Sequence, residues 1–312
     1  DLGVDMDRFK SAYDSDFFSI VEKPINKLLF VHSKAGEHYY GPRNAVAFTQ
    51  LEPDPMLETG TMSAYGQDLL FLSLNPQKNA RIIFEASSSV IKQHDSKLPS
   101  GIINNQKLSF KGRGSARILT DPIEPFQVDG VDFFHLHFDR EPKQFPINRT
   151  FLMNLYGRDI NSDYREVNIF SKNITLAYDD YLENIKRPTL LSDITNDIRN
   201  PNLFYSGIYE DGWISEHIEL FLEKPSADDY NFVLSGMIPF IDNKNFTTTM
   251  TILINDEIFH KETIGLGRYS LNKKVDIDNP VNIEIFFDNY QILPHPDSRP
   301  TVMYMNQIGF VQ

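Results

Sequence analysis

The chain has 312 residues, with 24 Phe and 14 Tyr against 16 Gly, no cysteine, and a formal net charge of -13 at pH 7. That length exceeds one usual domain and supports a core without disulfide or metal, and the missing cysteines exclude thiolate metal sites and cysteine nucleophiles. The negative field argues against nucleic acid as a partner, and no apolar run reaches the ~20 residues of a membrane-spanning helix.

In chain order, "DLGVDMDRF" opens without an initiator Met, as in a mature form or a piece of a longer protein. Residues 7–22, with Phe9, Tyr13, Phe17 and Ile20 near helical spacing, predict a short amphipathic helix. From "KLLFVHS" onward the pattern changes to short strands. "NAVAFTQLE", "DLLFLSL", "ARIIFEASSSV", "QKLSFKG", "SARILTD", "DFFHLHFD", "TFLMNLYGRDI" and "REVNIFSKNITLAY" follow, separated by Pro, Gly, Asn and Asp. Strands at this spacing without helices between them predict an antiparallel β-sandwich. The basic stretch "KLSFKGRGSAR" reads as a solvated hairpin.

Residues 179–202 are charged, interrupted by Pro188, and include "SDITNDI", a short helix with Ser192 or Asp193 as its cap. They predict a partly helical connector. Strands then resume with "WISEHIELFLE", "YNFVLSGMIPF", "TTTMTILINDEIFHKETI", "GRYSLNKKVD", "VNIEIFFDNYQILP" and "VMYMNQIGFVQ". The pair Asn255-Asp256 predicts a hairpin turn. In "ISEHIELFL" alternation puts Ile214, Glu216, Ile218, Leu220 and Leu222 on one side, with Glu216 expected at an exposed strand end. The expected architecture is all-β: two antiparallel, jelly-roll-like β-sandwich domains with a short N-terminal helix. The divisions are 1–178, the connector 179–202, and 203–312.

Three constellations bear on chemistry. The first surrounds the only tryptophan, in Tyr209-Glu210-Asp211-Gly212-Trp213. Asp-Gly is a turn pair, so Trp213 either plugs the mouth of a sandwich or offers a platform on which the apolar face of a sugar ring stacks beside carboxylates. Glu210 and Asp211 are adjacent and point to opposite sides, so they cannot act as a facing acid and base. The second is Asp297-Ser298-Arg299. Arg299 precedes Pro300 and is extended, able to pair bidentately with Asp211 or Glu210. The third is His135 and His137, which share one strand face. With no further ligand at motif spacing they predict an exposed polar face, not a metal site. No nucleophile elbow, phosphate-binding loop, zinc helix or dinucleotide fingerprint is present in the sequence.

"YSGIYEDGWIS", followed by a sandwich ending in "PDSRPTVMYMNQIGF", resembles a β-sandwich domain of bacterial envelope proteins. That domain is often appended to membrane glycosyltransferases or to proteins of surface-polysaccharide assembly. The shared pattern is Tyr-x-Asp-Gly-Trp at the start and Asp-x-Arg-Pro before a final strand ending Ile-Gly-Phe. Here Tyr209, Asp211, Gly212, Trp213, Asp297, Arg299, Pro300, Ile308, Gly309 and Phe310 meet it. The resemblance covers about residues 203–312 and implies an extracytoplasmic setting, in the periplasm or at the cell surface.

Together these readings give a non-catalytic accessory or binding module without cofactor or metal. Its partner is a glycan or polysaccharide, with envelope-protein subunits as a second class. The candidate ligand-binding residues are Tyr209, Glu210, Asp211, Trp213, Asp297 and Arg299. A polysaccharide-modifying enzyme with its site between the domains, or a structural docking module, are the alternatives. Trp213 is expected near Asp297 and Arg299, at one end of the second sandwich.

Overall fold

A computed structural model describes residues 79–87, 97–128, 131–139, 169–226, 229–277, 281–295 and 297–312, together with five strands between residues 18 and 73. Those five are β1 (Phe18–Glu22), β2 (Leu29–Ser33), β3 (Ala45–Gln50), β4 (Met62–Ala64) and β5 (Asp68–Ser73). The first half continues with β6 (Arg81–Ser87), β7 (Gly101–Ile103), β8 (Gln106–Leu108), β9 (Ser115–Leu119), β10 (Phe126–Val128), β11 (Val131–Phe138) and β12 (Ile169–Ala177). The connector carries α1 (Asp179–Asn184), β13 (Leu190–Leu191) and α2 (Ile194–Asp197). The second half holds β14 (Phe204–Ile208), β15 (Trp213–Leu222), β16 (Asn231–Ile238), β17 (Thr247–Ile254), β18 (Glu257–Gly265), β19 (Gly267–Lys274), β20 (Val281–Phe287), β21 (Gln291–Ile292), β22 (Pro300–Thr301) and β23 (Met303–Val311). The chain is all-β apart from two short helices among the described residues.

In the second half, β18-β17-β20-β15 form one layer, while β19-β16-β23-β13 form the other. Alternation explains both. Ile218, Leu220 and Leu222 of β15, Met250, Ile252 and Ile254 of β17, and Ile283 and Ile285 of β20 point inward. They share one core with Phe232, Leu234, Ile308 and Phe310 of the opposite layer. At about 1.5–3 kcal/mol per buried large apolar side chain, this core is the main stabilising term. Asn255 and Asp256 join β17 to β18 with positive φ at both residues (50° and 67°), the conformation a two-residue hairpin requires.

In the first half, β6 and β9 pack Ile82, Phe84, Ala86 and Ala116 against Ile103, Leu108, Phe134, Leu136 and Phe138 from β7, β8 and β11. The halves meet directly, because β14 pairs with β15 on one side and with β9 on the other. The second core begins inside the connector: Leu191, Ile194 and Ile198 belong to it, and β13 pairs with β23.

The structure departs from the sequence reading in five places. The N-terminal helix expected over 7–22 gives way at its end to β1, which pairs with β2; residues 7–17 lie outside the described residues, as does "TFLMNLYGRDI". The short apolar run "FSIVE" fits either period, and a ladder partner settles it. Within the antiparallel first half, β3 and β5 are parallel, because the chain leaves this sheet to place β4 beside β12 and returns in the same direction. "KLSFKGRGSAR" is not a solvated hairpin: β8 pairs with β7, and β9 pairs with β6 and β14. Arg117 is buried there, donating from Nη1 to Glu85 Oε2 at 2.7 Å. The helix α2 starts after Asp193, but that residue's carboxylate accepts from the Thr195 hydroxyl and the Asn196 amide, while Asp197 accepts from the Ser192 and Asp193 N–H groups. Glu216, finally, is not at an exposed strand end. It is mostly buried, with Oε1 2.9 Å from Arg113 Nε.

Glu216 moves because β15 bulges. Its register runs Ser206↔Glu219 and then Ile208↔Ile214, so Ser215, Glu216 and His217 are extra on the β15 side. Ser215 Oγ donates to the His217 carbonyl at 2.8 Å and accepts from the Arg113 N–H at 3.0 Å. Gly112 crosses here so closely that a Cβ would stand 1.8 Å from the His217 carbonyl oxygen, and its φ is +63°. Only glycine fits such a crossing.

Candidate functional site

The turn before Trp213 is tightly closed. The Gly212 N–H donates to the Tyr209 carbonyl at 3.0 Å and the Tyr209 N–H to the Trp213 carbonyl at 2.8 Å. Gly212 has a φ of +89° and lies against the Tyr304 ring, which a Cβ would approach to 3.2 Å. The turn presents Asp211 to Arg299. The guanidinium donates to both Asp211 oxygens (3.1 and 2.5 Å) and to both Asp297 oxygens (2.6 and 2.8 Å). It also lies 4.7 Å from the centroid of the Tyr209 ring. Burial alone would push this guanidinium's pKa down, but the hydrogen bonds and charges of Asp297 and Asp211 outweigh it and hold the group above its ordinary value.

Tyr209 is 1% exposed and its hydroxyl donates to the Pro300 carbonyl at 2.8 Å. It supports Arg299 from below and offers no surface of its own. Glu210 faces the other way, accepting from the Ser115 hydroxyl at 3.3 Å. The expected pairing of Arg299 with Asp211 is therefore present, and it joins the turn before β15 to the loop entering the last strands. Of the six predicted residues, Asp211, Asp297, Arg299 and Tyr209 form one cluster, Trp213 borders it through the turn, and Glu210 points away.

Trp213 is half-buried. It lies across from Tyr304 on β23, with ring centroids 5.7 Å apart at 84°, and Tyr304 lies across from Met237 on β16. Cross-strand partners share a sheet face. This row of three points outward, since the neighbouring Ile214, Met303, Met305 and Ile238 are buried. Tyr304 and Met237 are 37% and 36% exposed. Sequence reasoning missed both, although the signal was there: in "MYMNQ" the buried methionines alternate with outward Tyr304 and Asn306.

A second polar face lies on the opposite layer. "HIEL" and "NIEIFF" each bury their isoleucines and turn His217, Glu219, Asn282, Glu284 and Phe286 outward. Glu219 pairs directly with Glu284, and His217 with Phe286. His217 Nε2 lies 3.0 Å from Glu284 Oε2, with its ring 4.0 Å from that of Phe286. Burial holds the imidazole below its ordinary pKa, against the opposing pull of Glu284. Glu219 is raised, first by burial and then by Glu284.

His135 and His137 of β11 face away from the buried Phe134, Leu136 and Phe138, with ring centroids 6.5 Å apart. No group of three or more metal-ligating side chains comes together among the described residues. No helix among them is long and apolar enough to cross a membrane.

No family model matches the sequence, and no curated protein matches it either. Among solved structures, the M60 catalytic domain with the CBM51-1 and CBM51-2 domains from Clostridium perfringens ZmpB overlaps 94% of this chain and 43% of its own, at 9% identity and a TM-score of 0.21. A Paenibacillus xanthan lyase overlaps 87% and 25%, at 11% identity and a TM-score of 0.18. The CBM22-1-CBM22-2 tandem domain of Paenibacillus barcinonensis Xyn10C overlaps 94% and 90%, at 10% identity and a TM-score of 0.17. The chain spans less than half the length of the first two. Overlaps this slight carry no argument about function, which rests on the side chains.

Proposed function

We infer that the chain is a non-catalytic, extracytoplasmic accessory module that holds a glycan on the outer face of its second sandwich. One observation carries the reading: Trp213, Tyr304 and Met237 stand in a single outward cross-strand row. Adjacent strands are about 4.8 Å apart, so the row is an apolar strip as long as two sugar rings. The faces of pyranose rings are apolar while their edges carry hydroxyls that donate and accept, so a strip bordered by an acceptor and a donor suits them. Asp211, whose side chain stays 49% exposed beside its bond to Arg299, supplies acceptors at one end, and exposed Arg268 lies across from Met237 at the other. In this reading Arg299, Asp297 and Tyr209 hold Asp211 and the indole in place without touching the ligand. The resemblance of the Tyr209–Trp213 and Asp297–Phe310 segments to an envelope domain is the ground for surface polysaccharide as the glycan.

The test is a glycan array on the whole chain, followed by titration of each hit while tryptophan fluorescence is recorded. Binding is expected to shift the emission of the single indole, and Tyr304→Ala is expected to weaken it at least tenfold. Binding untouched by Tyr304→Ala, or no glycan bound at all, overturns the reading.

A further inference from the structure

The face formed by β15 and β20 holds an arrangement the glycan strip does not use. Two glutamates, Glu219 and Glu284, stand directly opposite each other on neighbouring antiparallel strands. Like charges in that position repel, so such a pair is retained at a cost to the fold. Their surroundings are unequal. Glu284 has His217 at 3.0 Å and Lys111 Nζ at 4.0 Å. Glu219 has no cationic partner within ion-pair distance among the described residues, and Oε1 accepts from Asn282 Nδ2 at a long 3.4 Å. The other atom of that amide, Asn282 Oδ1, is a buried acceptor with no donor in reach. Acceptors are in surplus here, and a surplus of acceptors calls for a donor.

The same face also has a shelf. Phe286 is 36% exposed, continues the row of His217, and is stacked by that imidazole. On the far side of the β15 bulge, Arg113 is consumed by Glu216 and lies 5.7 Å from the centroid of the Tyr290 ring, so it does not neutralise Glu219. An aromatic shelf beside a carboxylate, Glu219, that has no cation of its own among the described residues fits a ring that carries a positive charge on its edge.

We propose that Glu219 and Glu284, with the shelf of Phe286, form a second subsite for an amino sugar, whose ammonium sits between the two carboxylates. This deepens the glycan reading and rests on it for the ligand's being a saccharide. The ammonium supplies charged N–H donors to Glu219, whose donor among the described residues is the distant Asn282 amide, and to the lone pairs that Glu284 keeps beside His217. Its charge also relieves the repulsion between the glutamates. An N-acetylated sugar has no charge there and one amide N–H in place of three, so the subsite discriminates between the two.

The experiment is calorimetric titration of the whole chain with a glucosamine hexamer and with its fully N-acetylated counterpart. Both are repeated with Glu219→Gln, Phe286→Ala and Tyr304→Ala, after circular dichroism has shown each variant folded. Glu219→Asp, which keeps the charge, serves as the conservative control. The hexamer with free amines is expected to bind at least tenfold tighter. Glu219→Gln is expected to abolish that preference, Phe286→Ala to weaken binding of the amine form, and Glu219→Asp to retain the preference in part. Equal affinities for the two hexamers, or a preference that survives Glu219→Gln, overturns the subsite and leaves the Trp213–Tyr304 strip standing. The opposite failure is also legible: amine binding that needs Glu219 but ignores Tyr304, with no neutral glycan bound, sinks the strip and keeps the subsite.

Discussion

Replacing Arg299 by Met should loosen the second sandwich, and the size of the effect follows from the geometry. The guanidinium side chain is 13% exposed and bonds to two carboxylates, Asp297 and Asp211, that are 36% and 49% exposed. The better-shielded Asp297 fork contributes about 2 kcal/mol, in the range for hydrogen bonds to charged groups. The Asp211 arm, half in water, is discounted to about 1 kcal/mol for solvent screening. Contact with the Tyr209 ring adds about 0.5–1 kcal/mol. The sum is roughly 3.5–4 kcal/mol for Arg299→Met, and about half of that for Arg299→Lys, which keeps the charge but cannot form two forks. The pH dependence has a definite sign. A base whose folded pKa is raised stabilises the fold at every pH below its ordinary value, so the loss should be constant between about pH 6 and 9. Equilibrium urea unfolding measures it, with an Asp211→Asn cycle expected to give about 1 kcal/mol of coupling. A loss under ~1 kcal/mol for Arg299→Met, or Arg299→Lys indistinguishable from the parent, refutes the staple.

Glu219→Gln should stabilise the chain at pH 7 by a few tenths to about 1 kcal/mol, because it removes one of two like charges standing opposite each other. A raised acid favours the fold in its protonated form, a contribution present below the ordinary carboxylate pKa and lost as pH rises through the folded one, so the gain should vanish near pH 4; a destabilised Gln variant at pH 7 contradicts this. Glu85→Gln should cost about 3 kcal/mol by leaving Arg117, only 5% exposed, without its anion, whereas the double change Glu85→Leu with Arg117→Met should cost far less; equal losses in thermal unfolding would count against a buried pair. Limited proteolysis should cut first within residues 179–202, with exposed Glu183 and Asn184 as the first targets; initial cleavage inside the first half is the contrary result. A fragment of residues 189–312 should give dispersed amide spectra, and one of 203–312 should be less stable, having lost β13 and the side chains of Leu191, Ile194 and Ile198; equal stability of the two would separate the connector from the second core.

Much of the fold was legible because period-2 alternation is a local signal. "NIEIFF" buries Ile283 and Ile285 and exposes Phe286 as its letters imply. The bond between Asp211 and Arg299 was legible through the paired motifs and the extended backbone before Pro300. What escaped depends on partners distant in sequence. "FSIVE" has too few residues to separate the two periods. Nothing local marks β3 and β5 as parallel, and nothing in "SARIL" says that Arg117 will find Glu85 on β6. Glu219 and Glu284 were each visible as outward residues, but their opposition is set by the register of a bulged strand.

That bulge is where the two candidate surfaces are joined. β15 begins in one layer, where Trp213 and Ile214 pair with Tyr304 and Met303, and continues in the other, where His217 to Leu222 pair with β20. A regular strand of ten residues cannot serve both layers, because its side chains keep one alternation and its ladder keeps one plane. The three extra residues Ser215, Glu216 and His217 absorb the change of layer, and each is held: Ser215 by the Arg113 N–H, Glu216 by the Arg113 guanidinium, His217 by Glu284. The loop at residues 111–113 is thus the clamp on the bend, and it belongs to the first half of the chain. The first half therefore contributes to the second: Gly112 and Arg113 supply the partners of the bend, between the aromatic strip before it and the carboxylate pair after it.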